Sequence, residues 1–162
     1  MSVPAPFAEF CATVQPDWVD HNGHMGIRSY THVFDQAVTA FYQYLGLTRE
    51  ALKVRGHTIF ALQETSWFRR EVMLGDPLLV TSQLVDCDHN KLVTFHHMHQ
   101  TRDDYVAALY EIIEIQIDME QRRSAVFPDA TRQHMETVHA AHEKLGRPPE
   151  SGQGVGIKRK PG

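Results

Sequence analysis

The spacing of apolar residues changes along the chain, from three or four residues in the first third to two residues further on. Between residues 30 and 45, apolar positions recur as they do on one face of a helix: Tyr30, Val33, Phe34, Ala37, Val38, Phe41 and Leu45. From residue 57 onward, alternating Val, Ile, Thr and aromatic residues predict strands at 57–70, 77–87, 91–101 and 105–119. The pattern therefore predicts one long amphipathic helix followed by four strands.

Turn and cap residues mark the boundaries of these elements. Ser29 is predicted to be the N-cap of the long helix, and Gly46 follows its last apolar position. Short turn sequences such as Gly75-Asp76-Pro77 separate the four strands, which favours an antiparallel meander. Three further elements are predicted: a strand near 8–15, a short helix at 47–54 and a polar helix at 129–145. The expected fold class is α+β, an antiparallel β-sheet wrapped around one long central α-helix, with an extra C-terminal helix.

Chain length limits the number of domains. With 162 residues the chain can bury one core, so a single domain at residues 1–145 is expected. Residues 146–162 are dense in Gly and Pro and carry Lys158-Arg159-Lys160, and we interpret them as a solvated basic tail that buries too little apolar surface to become ordered. A single curved sheet leaves a face or an edge to be covered, so a homodimer or a dimer of dimers is expected.

Composition and charge exclude several classes of partner. The net charge of -4 and the pI near 6.2 argue against a nucleic-acid-binding protein, which would carry a basic face. Cys11 and Cys87 form no CxxC motif and are interpreted as thiols in a reducing compartment. Because the N-terminal residues lack the pattern of a signal peptide and no apolar run approaches the ~20 residues of a membrane helix, a cytoplasmic protein without membrane contact is expected.

The segment Asp20-His21-Asn22-Gly23-His24, directly before the long helix, has the highest density of reactive side chains. Unpaired N–H groups and the positive dipole end at a helix N-terminus can stabilise a carbonyl oxygen that becomes negative during attack. A nearby carboxylate can activate water or attack the carbonyl itself. Asp, Asn and Gly are equally typical of turns and helix caps, so the spacing alone leaves a structural role open.

A resemblance to a known family favours the catalytic interpretation. The active-site stretch of the 4-hydroxybenzoyl-CoA thioesterase-like hotdog family resembles Trp18-Val19-Asp20-His21-Asn22-Gly23-His24-Met25, followed by Tyr30 and by Phe34-Asp35-Gln36-Ala37. That family's E-x-x-x-G-D turn resembles Glu71-Val72-Met73-Leu74-Gly75-Asp76. The betainyl-CoA thioesterase branch, associated with carnitine breakdown, is similar to this chain at Asn22 to Met25, at Phe95-His96-His97-Met98 and at Arg122-Arg123 with Pro128. The resemblance implies a hotdog fold and hydrolysis of an acyl-CoA thioester to free acid and CoA, with no cofactor.

The resemblance also implies roles for individual residues. Asp20 is expected to act as nucleophile or general base, with Asn22 and His24 orienting the substrate or the attacking water. Backbone N–H groups near Gly26 and Ile27 are expected to polarise the thioester carbonyl. The remaining expected substrate-binding residues are Gly23, Met25 and Tyr30.

Glu64 is a second candidate carboxylate. Alternation along the strand at 57–70 places it on one face with Phe60, Leu62, Ser66 and Phe68. A carboxylate among these residues would be desolvated, which suits a general base that assists Asp20. A hydrogen-bonded or peripheral Glu64 is the equally weighted alternative.

The 11 histidines give no clear metal site. His97 and His99 share one face of their strand, but no third ligand is evident, so no metal is expected. His134, His139 and His142 lie on the polar terminal helix and are expected to face solvent.

Two other functions stay open from the sequence. A hydratase or dehydratase of the same fold would use a His and an Asp for proton transfer, and would release no free thiol. A non-catalytic module would bind acyl-CoA without turnover. A cationic acyl group such as betainyl is the expected substrate, on the resemblance alone.

Overall fold

The computed structural model describes residues 2–155. The strands are β1 (Phe7–Thr13), β2 (His57–Phe68), β3 (Pro77–Cys87), β4 (Lys91–Gln100), β5 (Tyr105–Asp118) and the short β6 (Arg123–Ser124). The helices are α1 (Ile27–Tyr44), α2 (Arg49–Val54) and α3 (Asp129–His142), with short 3₁₀ turns at Pro16–Trp18 and Glu143–Leu145. The elements occur in the predicted order.

The strands form one antiparallel sheet in the order β1-β3-β4-β5-β2, and β6 pairs with β5. The predicted meander is confirmed for β3, β4 and β5 but is wrong for β2, which pairs with β5 rather than with β3. Residues 69–76 therefore cross the sheet instead of forming a hairpin. Three strand spacings amount to ~14 Å, which eight residues span easily. No other strand within residues 2–155 pairs with the opposite edge of β2.

The long helix α1 packs its apolar stripe on the concave face of the curled sheet. Its buried residues include the predicted Tyr30, Val33, Phe34, Ala37, Val38 and Phe41. The ring of Phe34 stacks on Tyr110 of β5 with centroids 4.9 Å apart. An antiparallel sheet curled around one long helix, with an additional C-terminal helix, is the hotdog fold that the resemblance implies.

The predicted N-cap of α1 is wrong. Gly26 is the N-cap, and Ser29 lies in the first turn with its hydroxyl donating a 3.3 Å hydrogen bond to the backbone oxygen of Trp18. The first apolar position of the stripe does not mark the first helical residue, because the helix begins three residues before Tyr30. The start of α1 therefore carries no side-chain cap.

A cluster of three polar side chains lies inside the core beneath α1. His96 is fully buried, with Nδ1 2.8 Å from the Ser82 hydroxyl and Nε2 2.9 Å from the Thr94 hydroxyl. Burial lowers the pKa of His96 to about 3, and the neighbouring His97 acts in the same direction. The imidazole is therefore neutral, and its two hydroxyl partners satisfy both ring nitrogens.

The terminal helix α3 packs along β3 and uses its histidines for this contact. The expectation that these residues face solvent is wrong: His142 is buried, accepts a 2.9 Å hydrogen bond from the backbone N–H of Leu84 and donates a 2.8 Å one to the Pro4 oxygen. His139 and His134 bond the backbone oxygens of Val85 and Tyr44, each at 3.0 Å. The partners are backbone groups far away in sequence, which helix polarity does not reveal.

Residues 146–152 lie on the sheet, against the expectation of a solvated tail. The Gln83 side chain donates a 2.9 Å hydrogen bond to the Gly146 oxygen. Glu111 accepts hydrogen bonds from the Ser151 hydroxyl and from the Gly152 backbone, the latter at 2.8 Å. Glu150 forms an ion pair with Arg69. The segment is held by these polar contacts and by the burial of Pro148. Lys158-Arg159-Lys160 lies outside the described residues, and the domain boundary stays a prediction.

None of the helices within residues 2–155 is both long enough and apolar enough to span a membrane.

Candidate active site

The segment from Asp20 to His24 is a turn that is closed at its base. The Asp20 backbone N–H donates a 2.9 Å hydrogen bond to the His24 oxygen, and the Gly23 N–H donates one of 3.0 Å to the Asp20 oxygen. Gly23 has a φ of +85°, a conformation that side-chain-bearing residues rarely adopt. Val19 and Met25 pair below the turn as an isolated antiparallel bridge. The turn thus holds Asp20 in a fixed position relative to α1.

The carboxylate of Asp20 lies between this turn and the start of α1. Its Oδ1 accepts a 2.8 Å hydrogen bond from the Asn22 backbone N–H. Its Oδ2 is 3.7 Å from the place that a Cβ on Gly26 would occupy. One oxygen is therefore engaged in the turn, and the other lies beside the N-cap of the helix.

Two backbone N–H groups are available at the start of α1. The Gly26 N–H donates to the Trp18 oxygen at 2.9 Å, so it is already engaged. The next two, of Ile27 and Arg28, have no acceptor within residues 2–155. Free N–H groups and the helix dipole together make this a place where a developing oxyanion is stabilised. Of the predicted pair, Gly26 and Ile27, only the Ile27 N–H is free in the described part of the chain, and the Arg28 N–H is the next free one; the oxyanion role itself stays a prediction.

A cavity of about 430 Å³ opens beside the Asp20 carboxylate. Its walls are formed by Asp20, His24, Met25, Ile27, Tyr30, Phe68, Arg69, Arg70 and Glu71. The structure thus brings five of the predicted site residues together around one cavity, with Gly26 behind Asp20. Asn22 and Gly23 lie at the exposed tip of the turn and do not line it.

Tyr30 and His24 supply polar groups to the cavity. Burial raises the pKa of Tyr30 to about 12, against the effect of a hydrogen bond with the Val72 backbone, so its hydroxyl remains protonated. Its ring packs edge-on against Phe68 at 5.2 Å. The Nε2 atom of His24 is 3.7 Å from Oε2 of Glu71. The contact with Phe68 restricts the orientation of Tyr30, and Glu71 lies beside His24 at the cavity wall.

Four wall residues, Phe68 to Glu71, were not predicted from the sequence. The Arg70 guanidinium lies 4.0 Å over the ring of Tyr105, and Arg69 pairs with Glu150. Two consecutive arginines directly after an aromatic strand were the signal that could have identified this wall. They bring positive charge to the cavity, which suits a ligand that carries phosphate.

Glu64 does not line this cavity. Its side chain is exposed in this chain and accepts a 2.5 Å hydrogen bond from the Tyr110 hydroxyl. The single chain does not supply the expected desolvation among Phe60, Leu62 and Phe68, because β2 lies at the edge of the described sheet and has a register shift between Ala61 and Gln63. All three aromatic and aliphatic neighbours are exposed as well.

The described residues contain no cluster of three or more His, Cys, Asp or Glu side chains placed to hold a metal ion. His97 and His99 share the outer face of β4, as predicted, with ring centroids 6.1 Å apart.

Comparison with known proteins places the chain in a family. The sequence matches the model of the thioesterase-like superfamily over residues 14–135. It is 30% identical to the betainyl-CoA thioesterase of Pseudomonas aeruginosa over 144 aligned residues. The aligned region covers 89% of this chain and 91% of that protein. It is also 27% identical to an L-carnitine dehydrogenase/betainyl-CoA thioesterase of Rhizobium meliloti, over 90% of this chain and 29% of that longer protein.

The fold has close counterparts among solved structures. The hypothetical protein SAV2348 from Staphylococcus aureus, solved in complex with CoA, superposes with a TM-score of 0.87 at 24% identity, covering 98% of this chain and 100% of that chain. The matching region of the family model contains the Asp20 turn, all of α1 and the four long strands of the sheet. The chain therefore belongs to the thioesterase-like superfamily and is a thioester hydrolase of the hotdog fold.

Proposed function

We propose that this thioester hydrolase cleaves an acyl-CoA at the cavity beside Asp20. The observation that carries the proposal is the position of the Asp20 carboxylate next to Gly26, at the uncapped start of α1. A thioester carbonyl seated there meets the free N–H groups of Ile27 and Arg28 on its oxygen and the carboxylate at its carbon.

Hydrolysis of the thioester needs water as its only co-reactant. Either Asp20 takes a proton from water, whose oxygen then bonds to the carbonyl carbon, or Asp20 attacks first and water hydrolyses the resulting anhydride. In both routes the C–S bond breaks, the CoA sulfur receives a proton, and the free acid remains. The backbone of Asn22 holds Oδ1 in place, which leaves Oδ2 to act. His24 borders the cavity and is proposed to orient the water or the substrate.

Charge and the relatives support a CoA ester with a small acyl group. Arg69 and Arg70 at the wall suit the phosphates of CoA. The relatives from Pseudomonas aeruginosa and Rhizobium meliloti are betainyl-CoA thioesterases, and we propose that this chain takes a cationic acyl group of the same kind.

We further propose that the protein is a cytoplasmic homodimer or dimer of dimers. The open edge of β2 carries exposed Phe60, Leu62 and Phe68, and exposed apolar side chains beside unpaired strand groups favour association. A partner covering this edge would bury Glu64, which supports its proposed role as a second carboxylate.

A hydratase is the second candidate, because His24 and Asp20 border the same cavity. Release of free thiol separates the two activities at once. The direct test is therefore a thiol-release assay with acetyl, benzoyl, palmitoyl and betainyl CoA esters.

The matched variants are Asp20→Asn and Asp17→Asn, since Asp17 is an exposed carboxylate three residues earlier. We expect Asp20→Asn to lower kcat by about 10²-fold or more and Asp17→Asn to leave it unchanged. Wild-type kcat in a folded Asp20→Asn variant would contradict the assignment.

A further inference from the structure

A second cavity, of about 580 Å³, lies along the later part of α1. It shares no lining residue with the Asp20 cavity. It is enclosed by α1, by α2 and the residues before it, by the start of β2 and by Glu114 of β5. Three carboxylates border it, those of Asp35, Glu50 and Glu114, together with one guanidinium, that of Arg49. Arg49 forms no ion pair within the described part of the chain. The balance of charge at this cavity is therefore negative.

Two buried polar groups of this cavity have no partner. Glu114 is 8% exposed, and its Oε2 makes no hydrogen bond with any described residue. Tyr42 is also 8% exposed, and its hydroxyl makes no hydrogen bond with any described residue. A buried carboxylate without a donor is unfavourable for folding, so its presence beside an open volume indicates a ligand that supplies the missing charge.

The remaining walls narrow the chemistry of that ligand. Val38, Leu47 and Ile59 supply apolar walls, and between them lie the neutral polar side chains of Thr39, Gln43, Thr48 and Thr58. A metal ion would need several oxygen or nitrogen ligands at close range, and residues 2–155 hold no such cluster. Carboxylates beside aliphatic side chains and the ring of Tyr42 match an alkylated ammonium ion, whose charge is shielded by carbon and whose contact with an aromatic face is favourable.

We propose that this cavity is a binding site for an organic ammonium group, with Glu114 and Asp35 as counter-charges and Tyr42 as the aromatic contact. Glu114 lies on the inner face of β5 and Asp35 and Tyr42 lie on α1, so the three approach the same space from two elements. Burial and the charge of Asp35 raise the pKa of Glu114 to about 7, which is the direction expected for two carboxylates that face one cavity.

The position of the cavity along α1 allows two sources of the ammonium group. Ile27, Asp35 and Tyr42 lie within about 80° on the helix surface, with Asp35 ~12 Å and Tyr42 ~22 Å beyond Ile27 along the axis. An ammonium two bonds from a thioester carbonyl at Ile27 of the same chain does not reach Glu114. The group is therefore either a free ammonium ion or the acyl part of a CoA ester held at the Ile27 site of a partner subunit, and the second source rests on the proposed function and the proposed homodimer.

Binding is tested on the intact protein with tetramethylammonium chloride as the probe, by titration calorimetry against sodium chloride at equal ionic strength. The variants are Glu114→Gln, Asp35→Asn and, as matched control, Glu136→Gln on the exposed face of α3. We expect one saturable site per chain, weakened at least about tenfold by Glu114→Gln and measurably by Asp35→Asn, and unchanged by Glu136→Gln. The two cavity variants keep the proposal testable if either one fails to fold.

Kinetics identify the source. Betainyl-CoA is compared with 3,3-dimethylbutanoyl-CoA, in which an uncharged carbon replaces the nitrogen. If Glu114→Gln lowers the ratio of kcat/KM for the cationic over the neutral ester about tenfold, the group belongs to the acyl part. If it abolishes tetramethylammonium binding without changing this ratio, the ligand is a free ammonium ion.

The proposal is overturned if wild-type protein shows no saturable binding beyond the sodium control, or if Glu114→Gln and Asp35→Asn bind as tightly as wild type. Asp20→Asn separates this proposal from the proposed function. It should bind tetramethylammonium as wild type does while losing thiol release, and an active Asp20→Asn enzyme that still binds the ion would refute only the proposed function.

Discussion

Gly26 presents its bare Cα to the side chain of Asp20, and a Cβ at this position would lie 3.3 Å from the Asp20 Cβ. The contact is tighter than ordinary van der Waals packing, so either the carboxylate or the start of α1 must move by a few tenths of an ångström to accept alanine. The proposed chemistry depends on the distance between these two features.

We therefore expect Gly26→Ala to lower kcat/KM by about tenfold, because small displacements of a catalytic group are costly. Gly154→Ala is the matched control, since a Cβ there meets nothing within 4 Å. Thiol-release kinetics and the thermal midpoint are measured for both. Unchanged activity in Gly26→Ala would show that the position of Asp20 relative to α1 is not limiting.

A second prediction concerns the arginine wall. Arg69→Gln should raise KM for a CoA ester about fivefold at low salt and leave kcat nearly unchanged, because a phosphate contact away from the reacting carbon contributes to binding only. The difference from wild type should shrink as ionic strength rises. Arg132→Gln, which removes an arginine paired with Asp129 on α3, should leave KM unchanged.

The partner of Arg69 gives a prediction of opposite sign. Glu150 holds the Arg69 guanidinium in an ion pair. Glu150→Gln should release the guanidinium and lower KM for the same ester. This decrease in KM should be smaller than the increase in Arg69→Gln, because exposed ion pairs are weak. A rise of KM in Glu150→Gln would instead indicate that the pair positions Arg69 for binding.

The pH dependence of stability should report the charge of Glu114. Its pKa of about 7 in the folded protein exceeds its ordinary value of 4.5, so the folded state holds this proton more tightly than the unfolded chain. The resulting contribution to stability is complete below pH 4.5 and is lost as pH rises through about 7. The loss amounts to roughly 3 kcal/mol.

Glu114→Gln should remove this pH dependence and be more stable than wild type at about pH 8. The free energy of unfolding is measured for both proteins by urea unfolding at about pH 8 and at about pH 5. The other charged or titratable groups that face the cavity are Asp35 and Tyr42 on α1 and Arg49 and Glu50 on α2. Asp35→Asn should reduce the dependence only in part. A variant Glu114→Gln that loses stability at the higher pH would show that Glu114 is already paired.

The buried His96 predicts a loss of stability at acid pH. Its pKa of about 3 lies below its ordinary 6.5, so its contribution is complete above pH 6.5 and declines as the solution is acidified toward pH 3. Ser82→Ala removes the partner of Nδ1 and should cost about 1–3 kcal/mol at neutral pH. Thr137→Ala on the exposed side of α3 is the control, and a neutral effect of Ser82→Ala would show that water replaces the hydroxyl.

The sequence predicted α1 and the location of the Asp20 turn because both depend on local patterns. The apolar stripe from Tyr30 to Phe41 has helical spacing, and the turn residues lie together in the chain. The pairing of β2 with β5 was missed, since alternation within a strand does not identify its neighbour. His142 was missed for a related reason, because its partners, Leu84 and Pro4, are distant backbone groups.

The candidate site was predicted only in its first half. Asp20, His24 and Tyr30 belong to the turn and to the helix that follows it. Arg69 borders the same cavity because residues 69–76 cross the sheet. That path depends on the order of the strands, which local sequence patterns do not reveal. Tyr42 and Glu114 border one cavity although they are 72 positions apart in the sequence, because α1 packs across the sheet that contains β5.

The contact of Glu150 with Arg69 also has a consequence for the order in which the protein is made. A ribosome adds residue 150 long after Asp20, α1 and β2 have emerged from the exit tunnel. The Asp20 turn can form early, whereas Arg69 finds its partner only after residue 150 has left the tunnel. A nascent chain stalled before residue 150 would therefore carry the turn and the helix start but an unpaired arginine at the cavity wall.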